Sequence, residues 1–308
     1  VRVALLFTDG VGVGRRDPGV NPLAREAYLL SRFLEGPEAL LPAGGAATLL
    51  DTTFGVPGRP QSASNQTALY TGLEAPRLVG AHVLGYPTPA LAALLEAHSV
   101  VRRLTGAGRT ATFANAFPVA YLDALGLAHA PASPDALAMP PRLRRRLRPS
   151  ASTLAMAAGR VPFRTLDDAR AGRGLSHDVD GASAARRGLE LPRRTPEEAA
   201  ALFWALAADF TLFEHFLADE AGHLQDGEAA AGALGTFDAF ARAVVASRPA
   251  DACVLITSDH GNVEDLSSRN HTRNPVALLA FGAPATLPPL RTVADVGLAV
   301  LAALDSPQ

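Results

Sequence analysis

The sequence predicts an α/β fold: a mostly parallel central sheet with helices on both faces and a small inserted cap. Three observations predict it. Short apolar runs are bounded by turn residues, helix-patterned stretches lie between them, and the alternation lapses in one long Pro-, Arg- and Ser-rich interval. With 308 residues, 48% of them hydrophobic, the chain is long enough to bury a sizeable core.

The apolar runs occupy residues 1–7, 110–117, 210–218, 253–258 and 276–282, each short and rich in branched or aromatic side chains, as strands covered on both faces are. Helix periodicity marks residues 89–108, 195–208 and 228–247, with Thr195 as the N-cap of the second. From about Pro118 to about Arg194 the alternation is lost and "MPPRLRRRLRPS" appears. The sequence therefore predicts an α/β core of residues 1–117 and 195–308 and an inserted cap of residues 118–194.

Composition narrows the function. The 28 basic and 30 acidic residues nearly cancel, and no basic stripe interleaves with aromatics, so a nucleic-acid partner is not expected. Lysine is absent, so any anion clamp must be built from arginine. Cys253 is the single cysteine, which excludes an internal disulfide and fits a reducing compartment. No charged leader precedes the first strand and no apolar run reaches membrane length, so the expectation is a soluble, cytoplasmic protein without a membrane partner.

In open parallel sheets functional groups collect beyond the carboxyl ends of strands. Three of the runs deliver an acid there: Asp9, Asp219, and Asp259 with His260 beside it. His223 follows Asp219 by one helical turn, and His271 lies on the loop before the last strand. Three carboxylates and three imidazoles are the donor mixture of Zn²⁺ or Mn²⁺. In "GVPGRPQSASNQTALYTG" a Gly- and Pro-rich approach leads to Ser62 at the start of a short helix. A hydroxyl there borders the free amides that cradle phosphate. Taken alone, the stretch reads rather as a helix cap through Ser62 or Ser64.

"TDGVGVG", "QSASNQTALYTG", "DEAGH", "SDHGNVED" and "NHTRNP" together resemble the alkaline phosphatase superfamily, in particular its branch of cofactor-independent phosphoglycerate mutases and phosphopentomutases and the small bacterial metalloenzyme-domain proteins near them. The resemblance implies a three-layer sandwich. It also implies two divalent ions, Mn²⁺ or Zn²⁺, one among Asp9, Ser62, Asp259 and His260 and the other held by Asp219, His223 and His271. Ser62, ten residues before Gly72, matches the superfamily nucleophile better than Ser64 or Thr67. A phosphoserine would then pass its phosphoryl group to water or to a second hydroxyl of a phosphorylated small molecule.

The chain lacks the lysine and the large inserted domain of the resembling phosphoglycerate mutases. Phosphomonoester hydrolysis is therefore the first expectation, a phosphomutase the second and a non-catalytic phospho-ligand binder the third. Gln66 stands where the resembling sulfatases carry arginine, which lowers sulfate chemistry. His82, His177 and Asp178 are candidate substrate contacts, as is the arginine run at 142–148, although polar turns and a solvated helix face explain these stretches as well. His98, His129 and His215 are expected to be structural.

Overall fold

The computed structural model describes residues 1–36, 41–42, 44–129, 142, 146–186, 188–282 and 289–305. Of the arginine run at 142–148, residues 143–145 lie outside the described residues. In chain order the strands are β1 (Arg2–Thr8), β2 (Gly45–Leu50), β3 (Ala111–Phe113), β4 (Ala116–Phe117), β5 (Arg164–Thr165), β6 (Phe210–His215), β7 (Ala252–Thr257) and β8 (Val276–Phe281). Six of them form one sheet in the order β2-β8-β7-β1-β6-β3, and β4 pairs with β5 apart from it. The β3-β6-β1-β7 block is parallel; β8 runs antiparallel to β7, and the edge strand β2 runs antiparallel to β8 and so in the direction of the block.

The helices before the middle of the chain are α1 (Ser62–Thr71), α2 (Ala75–Val79), α3 (Pro89–His98), α4 (Val100–Gly106), α5 (Val119–Leu125) and α6 (Ala151–Ala158). After them come α7 (Leu166–Arg170), α8 (Ala182–Arg186), α9 (Pro196–Ala205), α10 (Leu217–Leu224), α11 (Gly227–Ala246) and α12 (Asp295–Asp305). Because strand side chains alternate, β1 sends Val3, Leu5 and Phe7 into one core with α1, α3, α4, α6 and α12. Its Ala4 and Leu6 join a second core with α9 and α11 on the opposite face. Two apolar layers therefore sandwich the sheet. Helix α11 is long and apolar enough to cross a membrane by length and composition alone. Its Ala230, Leu234, Phe237, Ala241 and Val244 instead line one helical face within the second core.

Where pattern and structure differ, a polar side chain is the usual cause. The run at 110–117 splits because the Asn115 side chain takes over the ladder, donating to the Glu214 carbonyl at 2.7 Å and accepting from its amide at 2.8 Å. The helix expected at 89–108 breaks at Ser99, which turns to ψ 131° and whose Oγ accepts from the amides of Val101 and Arg102. The run at 210–218 leaves the sheet after His215, and α10 begins two residues on. Strand β2 was not visible in the sequence because its small, half-exposed "GAATLL" carries no clean alternation. Within residues 118–194, α6 packs on α1 and α3 and buries Ala151, Ala155 and Met156 in the first core. Any covering role falls to the rest of that interval.

Candidate metal centre

The parallel strands β6, β1 and β7 are neighbours, so the chain emerging from their carboxyl ends converges on one place. Asp9 follows β1 directly, and its amide donates to the His215 carbonyl at 2.8 Å. Asp219 and His223 sit one turn apart on α10, where Asp219 occupies the first turn. Asp259 and His260 follow β7, and His271 is steadied by a 2.8 Å contact between its Nδ1 and the Pro60 carbonyl oxygen. Helix α1 brings Ser62. Its N-cap is Gln61, and Ser62 Oγ lies 2.8 Å from His260 Nε2. The capping reading of Ser62 is thereby corrected: its hydroxyl is turned to an imidazole and does not serve the helix amides.

The six acids and histidines form two groups, within each of which one donor atom per residue lies within 4.8 Å of the others. In one group His260 Nε2 is 3.3 Å from Asp9 Oδ1 and 3.4 Å from Asp259 Oδ2. In the other, His223 Nε2 is 3.2 Å from Asp219 Oδ2, and His271 Nε2 is 3.6 Å from Asp219 Oδ1 and 3.2 Å from His223 Nε2. The rings of His260 and His271 stack with centroids 3.8 Å apart and join the groups.

Without a cation this arrangement is electrostatically costly. Burial, followed by the charges of Asp259 and Asp219, holds Asp9 well above the usual carboxylate range. Burial pushes Asp259 to about 6, opposed by a hydrogen bond from Gln66. Burial alone would raise Asp219 too, but its bond with His223 and the nearby imidazoles pull it far below. The same bond lifts His223 to about 9. Burial lowers His260 and His271 to about 4, leaving them neutral with lone pairs to offer. Asp9 Oδ1 is buried without a hydrogen-bond partner. Crowded acids, neutral imidazoles and an orphaned oxygen fit a divalent ion of the zinc or manganese type, which relieves all three costs at once.

Sequence reasoning missed the side chains that hold the acids. Gln66 Nε2 donates to Asp9 Oδ2 at 3.1 Å and to Asp259 Oδ2 at 3.0 Å, bridging two like charges. Asn262 Nδ2 donates to Asp219 Oδ1 at 2.7 Å. A signal existed in α1, where Ser64, Asn65, Gln66, Thr67 and Thr71 are all buried, a local breach of patterning that marks a working surface. Of the substrate candidates, His82 lies beside Gly58 on the approach to Ser62, with its ring toward the backbone of Thr53 and Val56. His177 stacks on Phe216, the residue before α10, at 4.4 Å. The Asp178 carboxylate accepts from the amides of Gly181 at 3.2 Å and Ala184 at 2.9 Å and so fastens the start of α8.

Residues 194–305, which carry five of the six acids and histidines, match the Metalloenzyme superfamily. In this chain, 92 residues are 42% identical to a phosphopentomutase of Methylobacterium nodulans, covering 29% of this chain and 22% of that one. A phosphopentomutase of Deinococcus radiodurans is 30% identical over 154 residues, 47% of this chain and 35% of the relative. The matches thus span well under half the length of these curated relatives. Among solved structures, the alkaline phosphatase of the Antarctic bacterium TAB5 superposes with a TM-score of 0.54 at 14% identity, covering 100% of this chain and 99% of its own. The Thermus thermophilus alkaline phosphatase gives 0.51 at 12%, covering 97% and 90%. At such identities the likeness is one of fold.

Proposed function

We propose that the chain is a metal-dependent phosphoryl-transfer enzyme acting on a phosphorylated small molecule, with Ser62 as the acceptor of the phosphoryl group. The observation that carries this reading is the Ser62 hydroxyl at the amino end of α1, 2.8 Å from His260 Nε2, whose ring stacks on His271 of the second group. Asp9, Asp259 and His260 would hold one divalent ion and Asp219, His223 and His271 a second, supplying Lewis acidity toward the serine oxygen and the phosphoryl oxygens. Manganese or zinc as the metal and the cytoplasm as the compartment belong to the same proposal.

The chain's own part is positioning and electrostatics. The first-turn amides of α1 have no acceptors within the helix and, with its dipole, favour an anionic group next to Ser62. Gln66 keeps Asp9 and Asp259 aimed at the same space. The Oγ–P bond forms as the ester P–O bond breaks; the serine proton is released and the departing oxygen regains one. Reversal of that step onto another hydroxyl completes a mutase cycle, and attack by water completes hydrolysis.

The phosphopentomutase relatives favour the mutase outcome, which reverses the order expected from the missing lysine and large inserted domain. Hydrolysis remains the second reading because the His223 side chain is 43% exposed and water reaches the centre. Metal-loaded protein incubated with a pentose phosphate and, separately, with an aryl phosphate separates them. Isomer without free phosphate supports the mutase, free phosphate supports hydrolysis, and turnover of neither ester overturns phosphoryl transfer.

A further inference from the structure

Glu264, four residues after His260, is 1% exposed and has no place in the chemistry above. Its carboxylate gathers four donors. Oε2 accepts from the Gly12 amide at 3.0 Å and the Asn262 amide at 2.7 Å. Oε1 accepts from the Thr272 hydroxyl and from Asn274 Nδ2 at 3.1 Å. These partners stand on three separate loops. Gly12 follows Asp9 by three residues, Asn262 follows His260 by two, and Thr272 follows His271 directly. Through the Asn262 side chain, which donates to Asp219 Oδ1 at 2.7 Å, the reach extends to the fourth ligand-bearing segment. The close approach is built into the sequence, because a Cβ at Gly12 or at Gly261 would collide with the Glu264 carboxyl.

Only a carboxylate satisfies this set. The Gly12 and Asn262 amides can only donate, as can the NH₂ of Asn274, so both oxygens must accept. We infer that Glu264 is a positioning residue that locks the Asp9, His260 and His271 loops in register before ions bind. The inference rests on the metal-centre reading and adds a determinant of metal affinity that touches no ion. Outer partners of this kind are worth about 10- to 100-fold in metal affinity.

In Glu264→Gln the amide oxygen can still serve the Gly12 and Asn262 amides, but its NH₂ then meets the NH₂ of Asn274. The His271 loop should loosen while the fold is kept. Glu264→Ala should loosen all three loops. Two readouts apply: Zn²⁺ affinity by competition with a chromophoric chelator, and amide hydrogen exchange of the metal-free full chain at Gly12, Asn262 and Asn274. Val244→Ala, in the second core, controls for general destabilisation. The expected result is a loss of at least about 10-fold in Zn²⁺ affinity for Glu264→Gln, with faster exchange at Asn274 and a loss well beyond that of Val244→Ala. Affinity equal to wild type, or a loss no larger than the control's, overturns the inference. Wild-type protein that takes up no zinc overturns the metal-centre reading instead, and the exchange rates in metal-free protein then decide the clamp by themselves.

Discussion

Glu214 provides a test that needs no substrate. It lies on β6, its backbone is paired with the Asn115 side chain, and its Oε2 accepts from Ser152 Oγ at 2.8 Å. Burial raises it from an ordinary 4.5 to about 7, the Ser152 bond opposing and the Asp259 charge adding to the rise. A carboxyl whose folded value exceeds its unfolded value binds its proton more tightly when folded. Its cost is therefore absent below about pH 4.5 and fully present above about pH 7. That displacement corresponds to about 3 kcal/mol, and to about 2 kcal/mol once the water that still reaches this partly buried side chain is allowed for.

Glu214→Gln copies the shape of the protonated acid and still accepts from Ser152, but it cannot ionise. In metal-free protein the variant should match wild type near pH 4.5 and be more stable by about 2 kcal/mol at pH 8. Urea unfolding at the two pH values in the presence of a chelator measures both differences. A variant less stable than wild type at pH 8 would mean that Glu214 is ionised and well solvated, and the burial argument would be wrong.

Ser62→Ala should keep the fold and the bound metal yet lose turnover by on the order of 10⁴-fold, as steady-state kinetics and metal analysis on one preparation will report. Gln66→Leu removes the donor shared by Asp9 and Asp259. In metal-free protein it should cost about 2 kcal/mol at pH 8 and less near pH 5, where Asp259, at about 6, is already protonated; urea midpoints at both values test the difference. Two ions each at 100 times their Kd contribute about 5 kcal/mol together. Chelation should accordingly lower Tm by roughly 10 °C, and a calorimetric trace indifferent to chelator would remove the ions from the stability of the fold.

How much was legible in the sequence differs by level. The parallel block was readable because β1, β6 and β7 are short apolar runs whose ends carry Asp9, Asp219 and Asp259. That these acids and their histidines meet followed from the rule that strand ends in such sheets converge. The breaks at Ser99 and Asn115 were not readable, because each depends on a side chain replacing a backbone partner, a choice that periodicity cannot register. Ser62 was ambiguous for the same reason: cap and nucleophile share residue type and position, and only the direction of Oγ separates them. Gln66, Asn262 and Glu264 stayed hidden because their partners lie 193, 43 and 252 residues away in the chain.

The central claim is that two cations sit among these six side chains. Crystals grown with Mn²⁺ or Zn²⁺ and measured at the absorption edge of the metal should give two anomalous peaks, one bordered by Asp9, Asp259 and His260 and one by Asp219, His223 and His271. Crystals grown with either metal in excess that show no peak at either group would contradict the account.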